Sequence, residues 1–342
     1  MSGGPGLPAG TGFPAGFPIG ARFTVVGGAG AVGRLLVERL LDSGAEVTVV
    51  DLAPAPGAGP RSSPHFRYLQ GDLGAVGGEL AGELARADAV VLAVPEQIAF
   101  EAAGKLCALL GPRTLLVDTL SVKGPLVEAV RAAAPERELV GLNPMFAPAL
   151  GFEGRPVAAV GINPGERSRQ LLDLVGSWGG HVVPVTPEGH DRLAAATQAL
   201  PHAAVLALGL ALPALGIDIV ELASVAPPPF TTMLALLARI SSGNPEVYWD
   251  IQWANPQAGQ ARAALADGLR TLSDLVRSDD GPGFAEAQRQ LRGFLGGELD
   301  HYAAHCARLF TVRESTTSES TPSESPVSEP RAHVPTGGTT DD

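Results

Sequence analysis

The stretch RFTVVGGAGAVGRLLVERLLDSG, residues 22–44, decides the fold. It opens on an apolar, β-prone run, turns through Gly28-x-Gly30-x-x-Gly33, and continues in a helical pattern that stops at Gly44. A glycine turn between a strand and a helix is the fingerprint of a dinucleotide site. Gly28 is expected to make the tight turn, Gly30 to admit a pyrophosphate, and Gly33 to seat the helix on the sheet. Ala29, Ala31 and Val32 complete the loop, whose helix-terminal N–H groups meet the phosphate charge. Asp51 ends the next strand, 18 residues after Gly33. A carboxylate there accepts both ribose hydroxyls of NAD and repels the 2′-phosphate of NADP. The nearest following arginine is Arg61, beyond a Pro/Gly loop, so the expected cofactor is NAD.

Outward from this motif, short β runs recur: EVTVVD, HFRYL, DAVVLAV, TLLVDT, ELVGLN, PVAAVG and HVVPV. Helix-length segments separate many of them. Strands apolar on both faces that alternate with helices indicate an α/β fold, a doubly wound, mostly parallel Rossmann-type sheet. The alternation ends near residue 186. Residues 187–311 read almost wholly as helix, rich in alanine and leucine, and form a second, all-helical domain. Helices that apolar bury against something, and a partner subunit is the natural candidate. Within them HAAVLALGLALPALGIDIV, interrupted by Pro213 and glycines, reads as buried helix, turn and helix and not as a membrane span. Residues 1–20 form a Gly/Pro-rich flexible leader without the marks of a signal peptide, and residues 312–342, rich in Ser, Thr, Pro and Glu, a disordered tail.

Composition narrows the function. The chain has 342 residues, 45% hydrophobic, and a formal net charge of -12. An acidic balance argues against a nucleic-acid partner, which needs a basic footprint, but not against a small anionic substrate. Cys107 and Cys306 lie far apart and read as two free thiols of a cytoplasmic protein.

Ligands of such sheets bind at the carboxyl ends of the strands. Val94 and Pro95, closing the fourth strand, are placed on the nicotinamide side. Asp118, Ser121 and Lys123 follow the fifth, where Asp118 and Lys123 serve equally well as turn and capping residues. His181 and His190 are placed at the surface near the domain junction. His301 and His305, four apart beside Cys306, have metal-compatible spacing but no evident further ligands, so no metal is expected. Tyr248, Trp249 and Trp253 either lid a pocket or form dimer core; core is the reading preferred here.

Taken in order, VVGGAGAVG, VLAVPEQ, DTLSVKGPL, GLNPMFAP, QALPHA and LLARISSGNPEVYWDI resemble the prephenate dehydrogenase family, which includes the arogenate dehydrogenases, over roughly residues 21–310. The resemblance implies a nucleotide-binding domain over 21–186 and a helical domain over 187–311 that binds substrate and forms a homodimer. It implies NAD(P)-dependent oxidation at C4 of a cyclohexadienyl ring with loss of the ring carboxylate. In the family a histidine at the position of Asn143 takes the C4 hydroxyl proton, and a serine matching Ser121 orients it. A histidine matching His202 and an arginine matching Arg239 lie in the substrate pocket, the arginine on a carboxylate. Pro144 and Met145 match, Ala147 stands for a glycine, and Gln198 stands where some members carry a further histidine.

Asn143 is the departure at the centre of the reaction. An amide is no base near neutral pH. An amino group at C4 removes the need for one, because its lone pair expels hydride to give an iminium directly. Catalytic roles therefore fall to Asn143, Ser121 and His202, and substrate contacts to Arg239, Gln198 and Met145. The reading that fits is the branch acting on 4-amino-4-deoxyprephenate for antibiotic biosynthesis. An ordinary prephenate or arogenate dehydrogenase, or a catalytically silent NAD-binding sensor, stays open at this point.

Overall fold

A computed structural model describes residue 17, residues 20–55 and residues 64–316, with side chains through residue 311. The leader apart from Phe17 and Gly20, Arg61 and the tail beyond 316 lie outside the described residues. Eight strands form one sheet: β1 (Arg22–Val26), β2 (Glu46–Asp51), β3 (Phe66–Gln70), β4 (Ala89–Leu92), β5 (Leu115–Asp118), β6 (Leu139–Pro144), β7 (Pro156–Ile162) and β8 (His181–Pro184). Their order is β3-β2-β1-β4-β5-β6-β7-β8. All neighbours are parallel except β6 and β7, which run antiparallel with Asn143 opposite Ala158. The order reverses beside β1, so a crevice opens there at the carboxyl ends of the strands.

Five helices cover the sheet: α1 (Ala31–Asp42), α2 (Gly78–Arg86), α3 (Glu96–Leu109), α4 (Gly124–Ala133) and α5 (Glu166–Ser177). Successive strand residues point to opposite faces, which explains two separate cores. Val25 packs with Leu36, Leu40, Leu171 and Leu174 of α1 and α5. Val26 packs with Leu84, Leu106 and Leu126 of α2, α3 and α4. Gly44, at φ +88°, takes the left-handed position after α1, and Ala45 N–H reaches back to Leu40 O at 3.1 Å. That bond satisfies an end carbonyl, as the glycine stop anticipates.

The rest is helical: α6 (Pro187–Ala194), a π-helical turn over Ala195–Ala199, α7 (Leu200–Ala211), α8 (Ile219–Ser224), α9 (Pro228–Ser241), α10 (Pro245–Trp253), α11 (Ala258–Arg277), α12 (Gly281–Leu295) and α13 (Leu299–Thr316). The chain divides into two compact units, one running to Leu222 and including Met233–Thr271, the other comprising Ala223–Thr232 and the residues from Leu272 on. Thr186 caps α6 by accepting Gly189 N–H at 3.0 Å. The wide turn ahead of Pro201 answers a steric problem, since a proline inside a helix lacks an N–H and crowds the carbonyl four residues back.

One sequence expectation changes here. The 202–220 segment does fold as helix, turn and helix, with Gly216 left-handed at φ +68°, but it is not buried within one chain: Leu210 is 81% exposed and Val220 74%. Helix also continues unbroken over Pro187–Leu215, which by length and composition alone is enough to cross a membrane. Pro201 follows the π turn in the first turn of α7 and Pro213 lies in a 3-10 turn, so neither interrupts it.

Candidate active site

The glycine turn is built by close approach. Gly27, not Gly28, adopts the left-handed conformation (φ +78°), and a Cβ there would lie 2.2 Å from Ala93 O. Gly28 is required for another reason: a Cβ would lie 2.8 Å from Val49 Cγ1. At Gly33 it would fall 2.3 Å from Gly27 O, as helix–sheet seating demands. Gly30 caps α1 without a side-chain bond, and the first helical bond is Arg34 N–H to Gly30 O at 2.9 Å. The N–H groups of Ala31, Val32 and Gly33 therefore lack intrahelical acceptors and suit an anion. Asp51 Oδ2 accepts Ala29 N–H at 3.0 Å, so the carboxylate stands at the turn. Val94 packs against Gly27, and Pro95 caps α3. A bare helix N-terminus, glycines with no room for a side chain and an acidic group beside them fit a dinucleotide.

Further along the same edge of the sheet, Asn143 is 4% exposed near the end of β6, and its Nδ2 lies 3.0 Å from His190 Nε2. His190 is 2% exposed, which corrects its surface placement. Its Nδ1 lies 2.9 Å from Asp191 Oδ1. Asp191 also accepts the N–H groups of Lys123 (2.8 Å) and Gly124 (2.9 Å). Burial alone would push this carboxyl up, but the hydrogen bonds from His190, Lys123 and Gly124 outweigh it and hold the pKa below the usual range. Lys123 is fully buried, paired through Nζ with Asp118, and donates to Leu142 O at 3.0 Å, one residue before Asn143.

Ser121 N–H donates to Glu96 Oε1 at 2.8 Å. The Ser121 hydroxyl makes no hydrogen bond to Asn143, so the orienting contact that the resemblance implies is absent between these residues. The hydrogen-bonding neighbour of the Asn143 side chain is His190 instead. Glu96 is 5% exposed, and its carboxyl pKa is raised to about 8, first by burial and then by a hydrogen bond with Asp250 of α10.

A second group comes from the helices. Gln198, on the π turn, donates to Met145 Sδ at 3.8 Å, while its Oε1 is buried without a partner. His202 stacks edge-on against Tyr248 at 5.2 Å, and its Nδ1 is buried and unpartnered. Burial, and then the charge of Arg239, lower the His202 pKa and keep the ring neutral. Arg239 is exposed at the end of α9 and forms no ion pair among the described residues. Trp249 (62%) and Trp253 (57%) are exposed in the single chain. His301 and His305 are exposed on α13, and among the described residues no three metal-type side chains cluster.

Sequence reasoning missed His190, Asp191, Glu96 and Asp250. For the first two a signal existed. Pro187, His190, Asp191 and Ala194 are the buried residues of α6, spaced i, i+3, i+4, i+7, as one helix face requires.

Comparison with known proteins places this geometry. Residues 72–158 match the family model described as prephenate dehydrogenase, nucleotide-binding domain, and residues 186–290 the one described as prephenate dehydrogenase, dimerization domain. The chain is 50% identical over 291 residues to 4-amino-4-deoxyprephenate dehydrogenase of Streptomyces pristinaespiralis, covering 85% of this chain and 97% of the relative. It is 24% identical over 282 residues to a probable arogenate/prephenate dehydrogenase of Methanocaldococcus jannaschii, covering 80% of this chain but 61% of that longer protein. The solved prephenate dehydrogenase from A. aeolicus, in complex with hydroxyphenyl propionate and NAD+, shares the fold, with a TM-score of 0.65 at 21% identity over 80% of this chain and 96% of that one.

Proposed function

The chain belongs to the prephenate dehydrogenase family, and from that premise we propose that it oxidises and decarboxylates 4-amino-4-deoxyprephenate with NAD, giving 4-aminophenylpyruvate, CO2 and NADH. The observation that carries this reading is Asn143, an amide in the place of the family's base, in a sequence that keeps His202 and Arg239.

When bound, NAD supplies the hydride acceptor. Ala31, Val32 and Gly33 would offer N–H groups to its pyrophosphate, Asp51 would accept from the ribose hydroxyls, and Val94 and Pro95 would lie on the nicotinamide side. The unpaired Arg239 guanidinium clamps a substrate carboxylate. His202, held neutral, hydrogen-bonds the substrate without adding charge, and Gln198 Oε1 and the Ser121 hydroxyl are further polar contacts. Asn143 accepts an N–H of the C4 amine. The nitrogen lone pair forms the C4=N bond as hydride leaves, and the ring carboxylate departs as CO2, returning its electron pair to give the aromatic amine. No proton leaves during hydride transfer.

With a hydroxyl at C4 the same step builds a protonated carbonyl and calls for a base, whose help is typically worth ~10²–10⁴-fold, or about 3–5 kcal/mol. Asn143 cannot give it. The enzyme works as a homodimer through residues 186–290, in the cytoplasm, where Cys107 and Cys306 stay free thiols, and serves antibiotic biosynthesis. Turnover of the amino substrate, prephenate and arogenate, followed by NADH absorbance, tests the reading. The amino substrate is expected to lead by at least a hundredfold in kcat/KM, and equal or better turnover of prephenate would overturn it.

A further inference from the structure

We propose that His190 and Asp191 are positioning residues that fix which end of the Asn143 amide faces the substrate, and that the end they select is the oxygen. The inference rests on the amine-substrate reading for its consequence, though not for its geometry.

For a His190 ring that carries a single proton, the geometry leaves one arrangement. Asn143, His190 and Asp191 are 4%, 2% and 3% exposed, so the polar atoms that face one another are shielded from bulk water. Asp191 is a carboxylate engaged on both oxygens, Oδ1 by His190 and Lys123 N–H and Oδ2 by Gly124 N–H. Its main-chain carbonyl is held as well, by Asn255 Nδ2 at 2.8 Å. A carboxylate only accepts, so the imidazole nitrogen 2.9 Å away, Nδ1, carries the proton. The other nitrogen of the neutral ring, Nε2, is then a lone pair. The amide end 3.0 Å from it must be the NH2 group, because the reverse orientation sets two acceptors against each other in a buried place. Asn143 Oδ1 takes no protein hydrogen bond among the described residues and is the end left for a ligand.

The consequence is chemical. An amide oxygen toward the C4 amine accepts an N–H and leaves the nitrogen lone pair free to expel hydride. An amide NH2 in the same place would donate to that lone pair and tie up the electrons the reaction needs. Orientation of Asn143 therefore separates a productive site from an inhibited one, although both bind the substrate.

The test uses the full-length protein with His190→Leu, which offers no acceptor, and His190→Gln, whose side-chain oxygen can stand in for Nε2. His190→Leu is expected to lower kcat for the amino substrate by about tenfold or more, with KM for NAD unchanged, and His190→Gln to recover most of the loss. Long-range ¹⁵N–¹H spectra of labelled protein, with His190 assigned by its loss in the glutamine variant, should show the proton on Nδ1. A proton on Nε2, wild-type kcat in a folded His190→Leu protein, or equal losses in both variants would overturn the proposal. The spectra need no substrate, so they decide the orientation even if the panel names prephenate as the substrate. They also decide it if the leucine variant fails to fold.

Discussion

At residue 143 an imidazole and an amide differ in what they can do with a proton. Asn143→His forces a larger ring into a place that is 4% exposed and where the amide nitrogen already lies 3.0 Å from His190 Nε2, so the new ring cannot sit where the amide does without displacing its neighbours. Turnover of the amino substrate should fall about tenfold, the cost of one lost hydrogen bond. Prephenate should gain far less than the ~10²–10⁴ of a working base; NADH formation on both substrates measures this. Arg239 argues the other way, since it is exposed, unpaired and beside His202. Arg239→Ala should raise the substrate KM by ~10–100-fold, as a lost charge-assisted hydrogen bond does. The melting temperature should hardly move, and an unchanged KM would remove the arginine from the site. Asn143, Gln198, His202 and Arg239 stood out as candidates in the sequence because they stand in ordered motifs. His190 was not, because a lone histidine in sequence carries no distance, and only the stripe it shares with Pro187, Asp191 and Ala194 reveals burial.

At the scale of elements, all eight strands were legible, because β1, β2, β4, β5 and β6 are buried on both faces and leave no alternative period. The start of α3 was less so. Glu96 follows Pro95 in the first helical turn, where an acidic residue is ordinary, and nothing local shows that α10 brings Asp250 to it from 154 positions away. The pair makes stability depend on pH. Unfolded, the Glu96 carboxyl ionises near 4.5; folded, it keeps its proton to about 8. Between those values the folded state binds more protons, so stability falls as pH rises through the window and levels off above it. Glu96→Gln keeps an acceptor for Ser121 N–H and a donor for Asp250 while removing the titration. Melting curves from pH 5 to 9 should show the wild type losing ground to the variant as pH rises, and parallel curves would show that this carboxyl does not hold its proton.

At the scale of the whole molecule, the sequence shows the change from alternating to purely helical structure near residue 186, but not which helical faces stay uncovered in a single chain. Leu210 (81% exposed), Leu215 (65%), Ile219 (54%) and Val220 (74%) lie within eleven positions of one another on α7, the turn after it and α8. An apolar surface of this kind on a protein in water marks a contact. The family match over residues 186–290 is to a dimerization domain, and the occupant we propose for this surface is a second copy of the chain. Light scattering of the purified protein at micromolar concentration should therefore give twice the 35.0 kDa chain mass. Leu210→Glu with Val220→Glu places two charges where the copies meet, and burying an unpaired charge is costly enough to split the pair. The double variant should run at single-chain mass with its helical circular dichroism retained. A wild type that is already a single chain without detergent would leave this surface needing another explanation.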